Sequence, residues 1–143
     1  MAKTFRQRFT NIILCDDVRI EINKKLILIG VYSGDIIVAK LPYRLKLAVY
    51  LEYLPESAGE QEMFFKYTSG DDKHTLLHLK LLVAKHNVNS PIILPGVEKV
   101  FSEESELKVD CSEDNKKWIR LITKRILIGN PMTWPPSVLP QPS

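Results

Sequence analysis

Apolar positions in this chain recur at every second residue, in short runs broken by turn chemistry. From Val18 the sequence alternates: Val18, Ile20 and Ile22 are apolar, while Arg19, Glu21 and Asn23 are polar. That is the period of a half-buried strand. Just upstream, Ile12, Ile13, Leu14 and Cys15 are apolar in succession, which predicts a strand end covered on both faces. Asn23–Lys24 predicts a tight hairpin, because Asn tolerates positive φ better than other non-glycine residues. A second strand, Leu26 to Tyr32, is interrupted by Gly30, which marks a bulge or a close backbone approach. Ser33–Gly34–Asp35 is a turn, and a short third strand follows.

The same reading continues downstream. Leu41–Pro42–Tyr43 is a corner, where Pro42 forbids a ladder hydrogen bond. Leu45, Leu47, Val49, Leu51 and Tyr53 then face one way, with Arg44, Lys46 and Glu52 opposite; this is the cleanest strand in the chain. Met63, Phe65 and Tyr67 repeat the pattern. His74 to Val83 is leucine-rich, which suits a helix, yet Thr75, Leu77, Leu79, Leu81 and Val83 alternate with polar positions, and the stretch is read as a strand. Ile92–Ile93–Leu94, bounded by Pro91 and Pro95, predicts a short edge segment. Leu107, Val109 and Cys111 alternate, and Trp118 to Ile128 is the last strand, with room for a bulge. Eight or nine strands at this spacing predict an all-β antiparallel β-sandwich, immunoglobulin-like or similar. Helix content should be near zero, apart from a turn around Ser102–Glu106.

The opening stretch also carries a resemblance. Cys15-Asp16-Asp17-Val18-Arg19 with Glu21, followed by Lys25-Leu26, then Leu28-Ile29-Gly30-Val31-Tyr32 and Gly34-Asp35-Ile36, resembles the start of a family of small bacterial proteins with no assigned function. Asn23-Lys24-Lys25 stands where that family has Asn-Gly-Lys at the hairpin. The resemblance implies a small β-sandwich and no activity.

At 143 residues the chain is one domain, 1–129, with a different end, 130–143. Five of the nine prolines and Trp134 lie in that end, which carries no charge and favours polyproline-like geometry. Two readings stand for it: it drapes over its own domain with Trp134 in a groove, or it docks on a partner. No apolar run reaches signal or membrane-span length, so the expected setting is cytoplasmic. Cys15 and Cys111 fit that setting as buried thiols, although they could pair across a sandwich in an oxidising one.

Charge is unevenly spread. Residues 1–46 sum to +5, residues 47–115 to −7 and residues 116–143 to +5. Should the first and last strands lie together, the sandwich gains a basic side and an acidic side. That is either a solvated surface or an electrostatic docking surface.

Chemistry is sparse. His74 and His78 are ~13 Å apart on a strand, too far to share a metal. Asp16–Asp17, Asp35 and Asp71–Asp72 raise a calcium site, but Asp16–Asp17 sits inside a strand pattern, where adjacent side chains diverge. A bond to neighbouring backbone or to Arg19 suits that pair better. Neither cysteine has a local catalytic signature, and there is no glycine-rich phosphate loop. Lys3, Arg6, Arg8, Lys116, Lys117, Arg120, Lys124 and Arg125 could meet nucleic acid, but aromatics are not interleaved as stacking platforms. No catalytic, cofactor or metal residues are assigned.

The leading expectation is a non-enzymatic module that binds protein, its own copy or another. Trp134, Lys116, Lys117, Arg120, Lys124 and Arg125 are its candidate interaction residues. The alternatives are an enzyme or small-ligand binder with a pocket at one end of the sandwich, and a nucleic-acid-associated accessory protein.

Overall fold

The computed structural model describes residues 2–70 and 73–130. It is all-β, apart from a single 3-10 turn at Arg6–Arg8. Nine strands are present among the described residues: β1 (Phe9–Ile20), β2 (Leu26–Val31), β3 (Ile36–Val38), β4 (Tyr43–Tyr53), β5 (Gly59–Thr68), β6 (His74–Val83), β7 (Ser90–Phe101), β8 (Ser105–Ser112) and β9 (Ile119–Ile128). They form two packed sheets, ordered β2-β1-β4-β7 and β3-β9-β8-β5-β6. The expected sandwich is therefore present. β4 and β7 share one sheet while β9, β8 and β5 are neighbours in the other, the arrangement of the B–E and G–F–C strands of immunoglobulin domains. One pair departs from antiparallel order: β3 runs parallel to β9.

The inward rows match the alternation. Leu45, Leu47, Val49, Leu51 and Tyr53 of β4 pack against Met63, Phe65 and Tyr67 of β5 and Leu107, Val109 and Cys111 of β8 in one core. The leucine-rich segment is strand β6, paired along its whole length with β5. Its Leu77, Leu79 and Leu81 lean on the core, while Leu76 and Leu82 are exposed. Leu14 and Cys15 are both buried, so that end of β1 is covered on both sides.

Three expectations change. Ile92–Leu94 does lie on an edge strand, but β7 is twelve residues long and continues through Pro91 and Pro95 to Phe101. An outer strand needs only one row of its N–H groups for the ladder, and the register shift between Leu47 and Val49 absorbs the irregularity near Pro95. No helix forms around Ser102–Glu106; the chain turns there directly into β8. The first hairpin is one residue longer than Asn23–Lys24. Glu21 N–H donates to Lys25 O and Lys24 N–H to Glu21 O, at 2.8 and 2.9 Å, leaving Ile22, Asn23 and Lys24 as the loop. Lys24, not Asn23, takes positive φ (66°), while the Asn23 carboxamide oxygen accepts Lys25 N–H. This is the three-residue loop of a type I turn followed by a left-handed residue.

The larger change concerns burial. Beyond Asp17 the β1–β2 hairpin leaves the core. Ile20 is 66% exposed and Ile22 fully so, although their alternation matches that of the buried strands.

Candidate functional site

Gly30 is the pivot of the hairpin. It sits at φ 65°, and a Cβ there would lie 2.1 Å from Asp16 Oδ2. The missing side chain makes room for Asp16, whose Oδ1 accepts the Tyr32 hydroxyl; Tyr32 Oη also lies 3.3 Å from the Lys46 carbonyl. Burial and the Asp16 hydrogen bond push the Tyr32 phenol well above its ordinary pKa, so it stays a protonated donor. Asp17 points elsewhere and bonds locally. Its Oδ1 accepts Val18 N–H and its Oδ2 pairs with Arg19 at 3.2 Å, the backbone-and-Arg19 role expected from the sequence.

These groups edge a cleft of about 640 Å³ at one end of the sandwich, between the hairpin, β3 and the start of β4. Its accessible apolar surface comes from Ile29, Ile37, Tyr32 and Tyr43, above the buried core residues Ile36, Val38 and Leu45. The charged rim is largely self-compensated: Asp17 pairs with Arg19, and Arg44 with Glu98 at 3.3 Å.

The same hairpin forms a sheet edge. Since Glu21 and Lys25 are hydrogen-bonded to each other, the alternation of an antiparallel ladder makes Arg19–Ile27 and Asp17–Ile29 the next hydrogen-bonded pairs. The N–H and C=O groups of Leu26 and Leu28 therefore point away from β1. β2 has no charged residue and no proline, and its Ile27, Ile29 and Val31 are exposed, Val31 by half. The other edges are blunted in the usual ways: β3 has three residues, β7 carries Pro91 and Pro95, and β6 carries His74, His78 and Lys80.

Among the described residues, the sequence-derived interaction residues do not all share one face. Arg6 Nε donates to Arg120 O, so the N-terminal turn and the last strand do meet. Their charges, however, are largely offset. Arg8 is buried against Glu56 and Leu54 O, Arg120 pairs with Asp110, and Arg125 pairs with Asp35 at 2.7 Å. Lys124 stands opposite Leu107 and Arg125 opposite Glu106, so these two adjacent residues point to opposite faces. Lys116 and Lys117 lie in the β8–β9 loop, where their backbone N–H groups bind the Asp114 carboxylate, each at 2.9 Å. Trp134 lies outside the described residues. Trp118, which begins the last strand's approach, carries Lys66 Nζ 4.2 Å above its ring.

Other candidate groups have structural partners. The His78 ring stacks on Phe64 at 4.5 Å. Cys15 and Cys111 are free, buried thiols. Burial raises both pKa values, helped by Asp16 and Asp17 at Cys15 and by Glu113 and Asp110 at Cys111; the two cysteines thus sit among different neighbours. No group of three His, Cys, Asp or Glu side chains among the described residues could hold a metal ion. No helix among them is long and apolar enough to cross a membrane.

The sequence reading allows a pocket at one end of the sandwich without naming its residues, and it does not anticipate the β2 edge. The available signal is β2 itself, six residues without charge or proline, but nothing local says whether such a strand is central or outermost. No protein-family model and no curated protein matches this chain.

Proposed function

We propose that this protein is a non-enzymatic protein-binding module, cytoplasmic in setting, whose binding edge is β2 and whose occupant is a second copy of the same chain. The observation that carries this reading is the unblunted β2 edge, with outward Leu26 and Leu28 backbone groups beside exposed Ile27, Ile29 and Val31. An edge of that kind pairs by strand addition. Antiparallel pairing about Leu28 sets Ile27 against the second copy's Ile29 and opposes no like charges along the strand. Parallel pairing would instead stack Lys24 and Lys25 on their equivalents. A two-fold axis makes the contact self-complementary, as in most homodimers.

The test is sedimentation equilibrium over a concentration series. Wild type should dimerise. The double variant Ile27→Lys/Ile29→Lys brings lysines face to face across the axis and should be monomeric with an unchanged far-ultraviolet spectrum. A wild type that stays monomeric, or a double variant that still dimerises, overturns the reading.

A second reading, a small-ligand binder, is favoured by the cleft, whose volume of about 640 Å³ is in the range of ligand pockets. The resemblance of residues 15–36 to an uncharacterised bacterial family supports the fold of this proposal and adds no activity.

A further inference from the structure

We propose that the end-of-sandwich cleft is the seat of the chain's own C-terminal segment, residues 131–143, with Trp134 as its anchor. Three observations converge. The first is where the chain leaves the domain. β9 runs parallel beside β3, Ile128 pairs with Val38, and Gly129 N–H donates to Val38 O at 2.9 Å. Val38 is itself part of the cleft wall, so the segment starts at the cleft. The close approach of Gly129 to Ile37, where a Cβ would lie 2.9 Å from Cγ2, holds that exit against β3.

The second observation is complementarity. The segment, PMTWPPSVLPQPS, has no charged side chain and offers Met132, Trp134, Val138 and Leu139. The cleft offers Ile29, Ile37 and two tyrosines over a buried apolar floor, and four of its six charged lining residues pair with one another. An uncharged segment with Trp, Met, Val and Leu side chains can cover that apolar surface without breaking either ion pair.

The third is reach. Trp134 is four residues past Asn130, and four residues of polyproline geometry would reach ~12 Å, thirteen ~40 Å, at ~3.1 Å per residue. Proline restricts the free segment, so less conformational entropy is lost on docking.

This inference does not require self-association. It is tested on the full-length chain by fluorescence, because the sequence has two tryptophans. Trp118→Phe leaves Trp134 as the sole reporter. Its emission should be blue-shifted relative to free tryptophan, and its iodide quenching constant should be several-fold lower. Both values should be independent of protein concentration. Tyr43→Lys at the exposed lip, and separately Ile37→Lys on the wall, should return quenching toward that of free tryptophan with an unchanged far-ultraviolet spectrum. A fully quenchable Trp134 in the parent overturns the proposal. So does protection that survives both lysine variants, which would place the segment elsewhere. Protection that appears only as concentration rises would give the cleft to a second copy's segment and would overturn the intramolecular assignment.

Discussion

Replacing Gly30 by alanine tests the logic of the hairpin, because two separable costs meet at one atom. The first is backbone. At φ 65° an L-residue costs about 1–2 kcal/mol relative to glycine. The second is displacement. The new methyl would lie 2.1 Å from Asp16 Oδ2 and 2.7 Å from its Cγ, so the carboxylate must swing away and release the Tyr32 hydroxyl. A hydrogen bond to a charged group contributes about 1.5–3 kcal/mol. Gly30→Ala should therefore destabilise by about 2.5–5 kcal/mol, a fall in Tm of roughly 5–20 °C for a domain of this size. Urea denaturation followed by circular dichroism measures it. A double-mutant cycle with Asp16→Ala separates the parts: without the carboxylate, Gly30→Ala should cost only about 1–2 kcal/mol. A Gly30→Ala variant within ~0.5 kcal/mol of wild type would refute the argument. Equal costs in the two backgrounds would leave the backbone part and remove the Asp16 part.

Three further outcomes are expected. Val49 is fully buried, so Val49→Asp should cost of order 3 kcal/mol or more; a soluble variant with the parental melting curve would contradict its inward register. The Tyr67 hydroxyl is buried with no hydrogen-bond partner among the described residues, so Tyr67→Phe should leave stability unchanged or raised by about 1 kcal/mol, read from the urea midpoint. Asp114 is held down to about 2 by the Lys117 and Lys116 N–H groups and the Ser112 hydroxyl. A depressed carboxyl contributes stability above its unfolded value of ~3.9 and loses it as pH falls toward about 2. Carboxyl NMR titration should give that low midpoint, and Asp114→Asn should flatten this acid limb.

The strands with strict alternation are legible from local sequence alone. Along β4, β5 and β8, apolar residues every second position demand a sheet with one dry face, whatever the partner. The same period separates β6 from a leucine-rich helix. The role of Asp17, bonding to its own neighbourhood, is also local. What local sequence does not contain is which face finds a partner. Val18, Ile20 and Ile22 alternate as cleanly as Leu45 to Tyr53, yet Ile20 and Ile22 are exposed, because the end of β1 and the hairpin loop after it extend beyond the core. Pro91 and Pro95 read as the limits of a short segment until the sheet order places β7 outermost, where missing N–H groups are tolerated. The basic residues of the last strand look like one surface until pairing brings Asp35 to Arg125 and Asp110 to Arg120 across 90 and 10 residues of chain. The cleft and the β2 edge belong to the same class. Both arise from how the two sheets are ordered and where one outlasts the other, and such contacts between distant residues leave no periodic trace in the segments that make them.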